Sequence, residues 1–376
     1  MLAKPNISFK KAKLLSKEME TPFLVLSKKK IEENYTRLSL ALENKVSLFY
    51  AVKANPISEV IEIIKNIGGG FEVSSADELR LVMNFNVPLN KIFYSTPVKK
   101  RSEISYFYKE GINLFVFDND TEIEKIAQCA PKSQVMLRIQ TKNKNSLIDL
   151  SLKFGAEPKD ALYLLEKARN MGLYPRGICF HVGSQCLSPE SYKEAIKLCH
   201  SIFEAAAEKG IHLDLLNIGG GFPIGYRKKV PDITTFCKTI NEALKYYFYG
   251  RFDVDVVAEP GRFICADAFT LVTRVIGKSI RNNKIWYYID DGLYGSFSGR
   301  IYDKGDYLIL TEKDGYKVPS VLAGPTCDSF DIIYEDYELP DLKIDDLILV
   351  PGMGAYTIVS ASNFNGFKRA KVVVID

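Results

Sequence analysis

Between residues 46 and 258, short apolar runs alternate with stretches whose apolar positions recur at helical spacing. The apolar runs fall at 46–52, 70–74, 91–95, 112–117, 134–140, 176–182, 213–218 and 253–258. They have strand length and little alternation, the pattern of strands covered on both faces. Helical spacing lies between most of them, for example at 57–67, 76–85, 159–171, 189–209 and 233–249. Eight strands with helical crossovers predict an α/β fold, a (β/α)8 TIM barrel; an open doubly wound sheet fits the alternation nearly as well. Upstream, residues 21–27 read as a strand, and Ser27 is placed to cap a helix over 28–43. Residues 1–20 are polar, lysine-rich and weakly helical.

Beyond about residue 268 the pattern changes. Short β-type runs at 269–276, 285–289, 307–310, 320–322, 347–350 and 371–375 are separated by Gly, Pro and Asp, which predicts an all-β domain. The expected division is a barrel over 28–267 and a β-domain made of 268–376 completed by the N-terminal segment 1–27. Residues 140–157 form a long, partly polar connection, a length that in a compact domain usually serves function.

Composition narrows the field. With 376 residues, two domains are expected. The net charge of +4 without a long basic run gives no support to nucleic-acid or membrane-surface binding. The cluster Lys28-Lys29-Lys30 reads as a solvated helix start. No apolar stretch approaches membrane-spanning length. Seven scattered cysteines, with no CxxC pair, suit a reducing cytoplasm and argue against a disulfide framework or zinc site. Three histidines (His181, His200 and His212) argue against a multi-histidine metal centre.

The placement of unusual residues favours the barrel. Lys53, Glu72, Arg138, His181, the run Gly219-Gly220-Gly221 and Glu259 each fall at or near the C-terminal end of a different strand. A barrel brings all those ends to one face. A lysine at the tip of a core strand is ordinarily one that snorkels to water. Its chemical alternative is a desolvated amine that attacks a carbonyl. The glycines offer backbone N–H groups to an anion, although three glycines alone indicate only a tight turn. Arg262 in Glu259-Pro260-Gly261-Arg262 presents a fork suited to phosphate oxygens. Glu259 can accept a hydrogen bond from a protonated ring nitrogen, and the flat ring of His181 can stack on an aromatic group, with Ser184 close behind it. In the β-domain, Cys327-Asp328 joins a thiol to a carboxylate, Tyr302-Asp303 offers a second anion for an amine, and Tyr356 stands among small residues. A reactive amine, a phosphate seat, a stacking ring and a carboxylate for a pyridine nitrogen are what pyridoxal 5′-phosphate requires.

These motifs together resemble the fold type III, or alanine-racemase-fold, PLP-dependent decarboxylases, and within them the ornithine/lysine decarboxylase branch. The resemblance runs from Thr21 to the C-terminus. It rests on FYAVKANP at 49–56, GFEVSS at 70–75, FHVGSQ at 180–185, GGGFP at 219–223, EPGR at 259–262, DGLYGSF at 291–297, Tyr302-Asp303, GPTCD at 324–328 and 354–356. By this resemblance Lys53 holds the cofactor covalently, His181 lies on its ring, and Glu259 partners the pyridine nitrogen. Gly220, Gly221, Gly261, Arg262, Tyr356 and Ser184 match phosphate ligands, and Tyr356 and Tyr302 also match substrate contacts. Glu72, Glu78 and Arg138 match residues supporting the cofactor pocket. The resemblance further implies a homodimer with shared sites. In it the partner's Cys327 protonates Cα after CO2 leaves, while Asp303 and the partner's Asp328 grip the substrate's distal ammonium. Lys153 and Asp331 match an intersubunit salt bridge. The implied substrate is L-ornithine, L-lysine or both, yielding putrescine or cadaverine for polyamine biosynthesis.

Two departures stand out. The branch usually has Asp at the position of Glu72, and the chain lacks the C-terminal degradation tail of animal members. Diaminopimelate decarboxylase is a weaker match, because Asp328 rather than Glu follows Cys327. A decarboxylase of a modified or carrier-bound amino acid stays open. Alanine racemase is disfavoured by Glu259, since it uses arginine at the pyridine nitrogen. A catalytically inactive regulatory binder of the antizyme-inhibitor type is disfavoured by the presence of Lys53, His181, Glu259, Cys327 and Asp328.

Overall fold

The computed structural model describes residues 2–141 and 146–376. It divides into two compact units. One comprises Glu32–Pro223 and Pro231–Gly261; the other comprises Met1–Ile31, Ile224–Val230 and Arg262–Asp376.

The first unit is a closed barrel of eight parallel strands: Ser47–Ala51, Gly70–Val73, Ile92–Tyr94, Leu114–Phe117, Gln134–Arg138, Tyr174–Cys179, Leu215–Asn217 and Asp255–Ala258. Each pairs with the next in this order, and the last closes onto the first through Val257 opposite Ser47 and Ala258 opposite Leu48. The barrel, not the open sheet, is therefore the architecture, and all eight expected strands are present. Closure lets Phe49, Val116, Met136, Cys179, Leu215 and Val257 pack together in the interior. Phe93 meets Phe49 edge-on at 4.2 Å between ring centroids, an arrangement favoured by the ring quadrupoles. The outer helices bury one apolar stripe each, such as Val60, Ile61, Ile63 and Ile64 on Ser58–Asn66. Several start on the capping side chains that sequence favours: Ser75 accepts from the Glu78 N–H, Asn119 from Glu122 and Asp232 from Thr234. In the connection at 140–157, Ser146–Ile148 pairs antiparallel with Ser184–Cys186; residues 142–145 lie outside the described residues.

The second unit is an eight-stranded mixed sheet. Its long strand Phe269–Arg281 pairs with Lys284–Ile289, Leu347–Pro351 and Phe23–Ser27. Phe23–Ser27 pairs in parallel with Lys371–Ile375, so the sheet includes strands from both ends of the chain. Ile7, Ala12, Phe23, Val25, Val272, Leu347 and Leu349 form a core there. Ser27 caps the following helix as expected, accepting from the Lys30 N–H at 3.2 Å.

Two expectations need correction. A strand at 307–310 is reduced to Leu310–Thr311, because Tyr307 is a core residue whose ring packs against Tyr226 and Phe297. Ile332–Leu339 is a strand that was not anticipated; its run Tyr-Glu-Asp-Tyr-Glu breaks the apolar pattern on the exposed face. Among the described residues, no helix is long and apolar enough to cross a membrane, and no cluster of three or more His, Cys, Asp or Glu is placed to hold a metal ion.

Candidate active site

The barrel brings Lys53, Glu72, Arg138, His181, Gly220, Gly221 and Glu259 to the C-terminal ends of its strands. Lys53 sits on one turn of 3₁₀ helix, Val52–Ala54, directly after the strand rather than at its tip. Its side chain is 43% exposed, and Nζ pairs with Oε2 of Glu72, itself 1% exposed. The other oxygen of Glu72 accepts from the hydroxyls of Ser74, at 3.1 Å, and Ser95, at 2.7 Å. Glu72 is thus a fully engaged buried carboxylate, the condition for keeping such a group in place. Next to it, burial pushes Glu78 up to about 7, opposed by the Ser74 N–H at 2.7 Å and reinforced by the charge of Glu72.

His181 is enclosed. Burial, with help from the charges of Arg138 and Lys53, holds its pKa down to about 3. Its Nδ1 accepts from the Gly183 N–H at 3.0 Å, which assigns the proton of the neutral ring to Nε2. Across the barrel end, Asn217 donates to Oε1 of Glu259 at 2.7 Å. Burial raises the Glu259 carboxyl, and the nearby Glu72 adds to this, against Lys53 and the Asn217 amide. Asn217, Ser74 and Ser95 are functional neighbours missed in the sequence. Asn217 had a signal there, an amide two residues before the glycine run. Arg138 ends its strand with its guanidinium 5.1 Å from the Phe154 ring centroid. Ser184 begins the short strand after the His181 turn.

The glycines form a cradle that side chains would fill. A Cβ on Gly220 would lie 2.5 Å from the Glu259 carbonyl oxygen and 3.4 Å from His181 Nε2. One on Gly221 would lie 2.4 Å from the Gly183 carbonyl, and one on Gly261 2.8 Å from Ala54 Cβ. An amine, a neutral half-buried ring, a buried carboxylate and a glycine-lined turn fit a phosphorylated, carbonyl-bearing aromatic cofactor.

The second unit carries the remaining residues. Arg262 is buried, donates Nη1 to the Tyr226 hydroxyl at 2.7 Å and Nη2 to Asp303 at 2.5 Å, and lies 4.9 Å from the Tyr356 ring centroid. Tyr356 has φ +56°, a left-handed backbone uncommon for an aromatic residue. Asp303 is engaged by Arg262 and 6% exposed, whereas the adjacent Tyr302 is 70% exposed, so the expected pair of substrate contacts is split between interior and surface. Cys327 is exposed and outside any disulfide. Asp328 accepts from the Tyr294 hydroxyl and from the Phe330 N–H at 3.0 Å; these bonds hold its carboxyl below the usual range. Asp331 is buried and accepts from Leu293 N, Thr326 N and Thr326 Oγ1, so it ties its own loop to the one at Leu293.

Residues 28–266 match the family model described as "Pyridoxal-dependent decarboxylase, pyridoxal binding domain". The chain belongs to the pyridoxal-dependent decarboxylases. It is 41% identical over 372 residues to the lysine/ornithine decarboxylase of Selenomonas ruminantium, covering 99% of this chain and 94% of that one. It is 40% identical to antizyme inhibitor 2 of Xenopus laevis, over 87% of this chain and 75% of the relative. Its fold superposes with a TM-score of 0.91 on a lysine/ornithine decarboxylase from Vibrio vulnificus solved with cadaverine. That match has 39% identity and covers 98% of this chain and 100% of the other.

Proposed function

We propose that this decarboxylase acts on L-ornithine, L-lysine or both, releasing CO2 and putrescine or cadaverine. The observation that carries the reading is the barrel end itself: Lys53 paired with Glu72, beside the neutral His181 and the half-buried Glu259. Pyridoxal phosphate, when bound, supplies an electron sink for the pair left behind as the Cα–carboxylate bond breaks. Lys53 would hold it through its amine. Glu72 fixes the position of that amine. His181, kept uncharged by burial, offers an apolar face without placing a second cation beside the ring. Glu259 offers a carboxylate to the pyridine nitrogen. In the barrel unit, the N–H groups of Gly220, Gly221 and Gly261 and the Ser184 hydroxyl would serve as phosphate ligands; in the second unit, Arg262 and Tyr356 are assigned the same role by the resemblance.

Asp303 and Asp328 select a distal ammonium, Asp328 acting from a partner subunit. Cys327, exposed beside it, delivers the proton to Cα in the partner's site. A homodimer with shared sites follows, in a reducing cytoplasm that suits seven cysteines outside any disulfide. One methylene separates ornithine from lysine, worth about 1–3 kcal/mol in a pocket, so both are expected to react. The kinship to an antizyme inhibitor favours one second reading, a non-catalytic binder, which the presence of Lys53 opposes.

The test is CO2 release over ornithine, lysine, arginine, diaminopimelate and glutamate, with borohydride trapping of the cofactor. Trapping on Lys53 and turnover of the two diamino acids are expected; colourless protein that takes up no cofactor would refute the reading. Mixing Lys53→Ala with Cys327→Ala chains is expected to restore some activity, and no recovery after proven subunit exchange would refute shared sites.

A further inference from the structure

Arg262 is buried with one carboxylate, and that carboxylate is not fully satisfied. Both oxygens of Asp303 lie 2.5 Å from the same nitrogen, Nη2. Only Oδ1 accepts a hydrogen bond; Oδ2 is buried and accepts none. Arginine and carboxylate usually meet fork to fork, with two parallel bonds. Here the fork is divided, because Nη1 is given to the Tyr226 hydroxyl at 2.7 Å. Burial pushes the Asp303 carboxyl up, and Arg262 opposes the shift. A second buried oxygen without a hydrogen bond, the hydroxyl of Tyr307, belongs to the ring packed on Tyr226. Asp303 is therefore a buried anion kept in place by one cation, with an unused lone pair.

Two ligands can each take one of these two charges. A phosphate is drawn to Arg262 and a diamine's ammonium to Asp303, yet in this structure each group is neutralised by the other. We propose that Asp303 exchanges partners: bound to Arg262 when no phosphate is present, and released toward an ammonium when a phosphate dianion takes the guanidinium. The exchange keeps charge balanced, one new pair forming for each pair given up. It makes phosphate and ammonium binding mutually favourable, and by linkage each must raise the affinity for the other by the same factor. Tyr226 is the positioning residue, holding the guanidinium while its carboxylate leaves. This inference rests on the reading of Arg262 as a phosphate ligand and of Asp303 as an ammonium ligand. It adds an order of binding: the phosphorylated cofactor prepares the substrate's ammonium site.

The test uses the full chain stripped of cofactor, with inorganic phosphate and cadaverine as probes and chloride to hold ionic strength constant. Calorimetry of cadaverine binding with and without saturating phosphate is expected to give tighter binding with phosphate, by at least about fivefold, the lower edge of ordinary coupling. Indifference, or weaker binding, would overturn the exchange. Asp303→Asn gives an independent sign. If the carboxylate competes for Arg262, the variant binds inorganic phosphate more tightly than wild type. If Asp303 merely orients Arg262, the variant binds phosphate equally or more weakly, and the proposal fails. Should that variant not fold, the wild-type coupling decides alone. Borohydride trapping of pyridoxal phosphate, run in parallel, separates the two levels. Trapping on Lys53 without coupling removes only the exchange, whereas no trapping on Lys53 removes the cofactor assignment beneath it.

Discussion

Gly221→Ala tests whether the glycine turn is a phosphate seat or only a bend. Gly221 has φ +103°, outside the range an alanine adopts comfortably, at a strain of about 1–3 kcal/mol. The new Cβ would stand 2.4 Å from the Gly183 carbonyl oxygen, and it must reach at least 3.0 Å, so the two backbones must part by 0.6 Å (3.0 − 2.4). Neither side gives freely. The Gly221 carbonyl accepts from Cys186 N at 2.9 Å, and the Gly220 carbonyl accepts from the Tyr192 hydroxyl at 2.8 Å. On the other side, Gly183 N donates to His181 Nδ1, so retreat of Gly183 disturbs the ring. A displacement near 1 Å in a positioning element can cost about 10²-fold, and 0.6 Å is expected to weaken cofactor affinity by about 10–100-fold. Titration of pyridoxal phosphate into stripped protein, followed by absorbance, reads this directly. Gly210→Ala is the control: φ there is +66° but nothing lies within 4 Å of the added methyl. It is expected to lower stability by about 1 kcal/mol in urea unfolding and leave cofactor affinity unchanged. Affinity of Gly221→Ala within about twofold of wild type would refute the seat.

His181→Phe is expected to flatten the acid limb of stability. With the native pKa held to about 3 against 6.5, the unfolded chain takes up a proton that the native state lacks, so stability falls as pH drops below 6.5. Between pH 6.5 and 4 the wild type should lose roughly 3 kcal/mol more than the variant, and equal slopes in urea titrations would reject the neutral ring. Glu78 acts with opposite sign: its native pKa of about 7 against 4.5 means that stability is lost as pH rises from 4.5 through 7. Glu78→Gln should therefore gain on wild type by pH 8, by roughly 2 kcal/mol after allowing for its partial exposure; no relative gain would count against it. Lys99 and Glu122 form a buried pair at 2.9 Å. Lys99→Met is expected to cost about 3 kcal/mol, the lower end for breaking such a pair, because Lys125 still contacts Glu122 at 2.5 Å. The double variant with Glu122→Gln should recover part of the loss, and a single-variant cost below about 1 kcal/mol would show the pair to be dispensable.

The barrel was legible because parallel strands covered on both faces read as unbroken apolar runs, and the polar residue ending each run marks the open face. Lys53, His181 and Glu259 were placed this way. What escaped were features set by tertiary neighbours. Ile332–Leu339 was missed because its outward positions carry Glu and Asp, and Tyr307 was read as strand because a core tyrosine and a strand tyrosine are alike in one dimension. Tyr226 had no signal beyond its closeness to the glycine run. Its bond to Arg262 depends on residues 224–230 belonging to the β-unit, which local pattern does not encode. The engagement of Asp303 by Arg262 was equally invisible, since 41 residues separate them.

Glu72 uses its two oxygens for different partners. Oε1 takes the Ser74 and Ser95 hydroxyls at 3.1 and 2.7 Å, and Oε2 takes Lys53. Shortening the side chain by one methylene draws the carboxylate back by about 1.5 Å, one carbon–carbon bond. From there it cannot keep both hydroxyls and reach an amine mounted on the rigid turn Val52–Ala54. If Glu72 positions Lys53, Glu72→Asp should slow covalent attachment of pyridoxal phosphate on the order of tenfold, while inorganic phosphate binds as before. Glu72→Gln keeps the reach but removes the charge, so it distinguishes geometry from electrostatics: slow Asp with fast Gln assigns the effect to reach, and the converse assigns it to charge. Stopped-flow absorbance with borohydride quench measures the rate at Lys53 itself. Wild-type rates in both variants would leave Lys53 oriented by its own turn alone, and the carboxylate would have no part in presenting the amine.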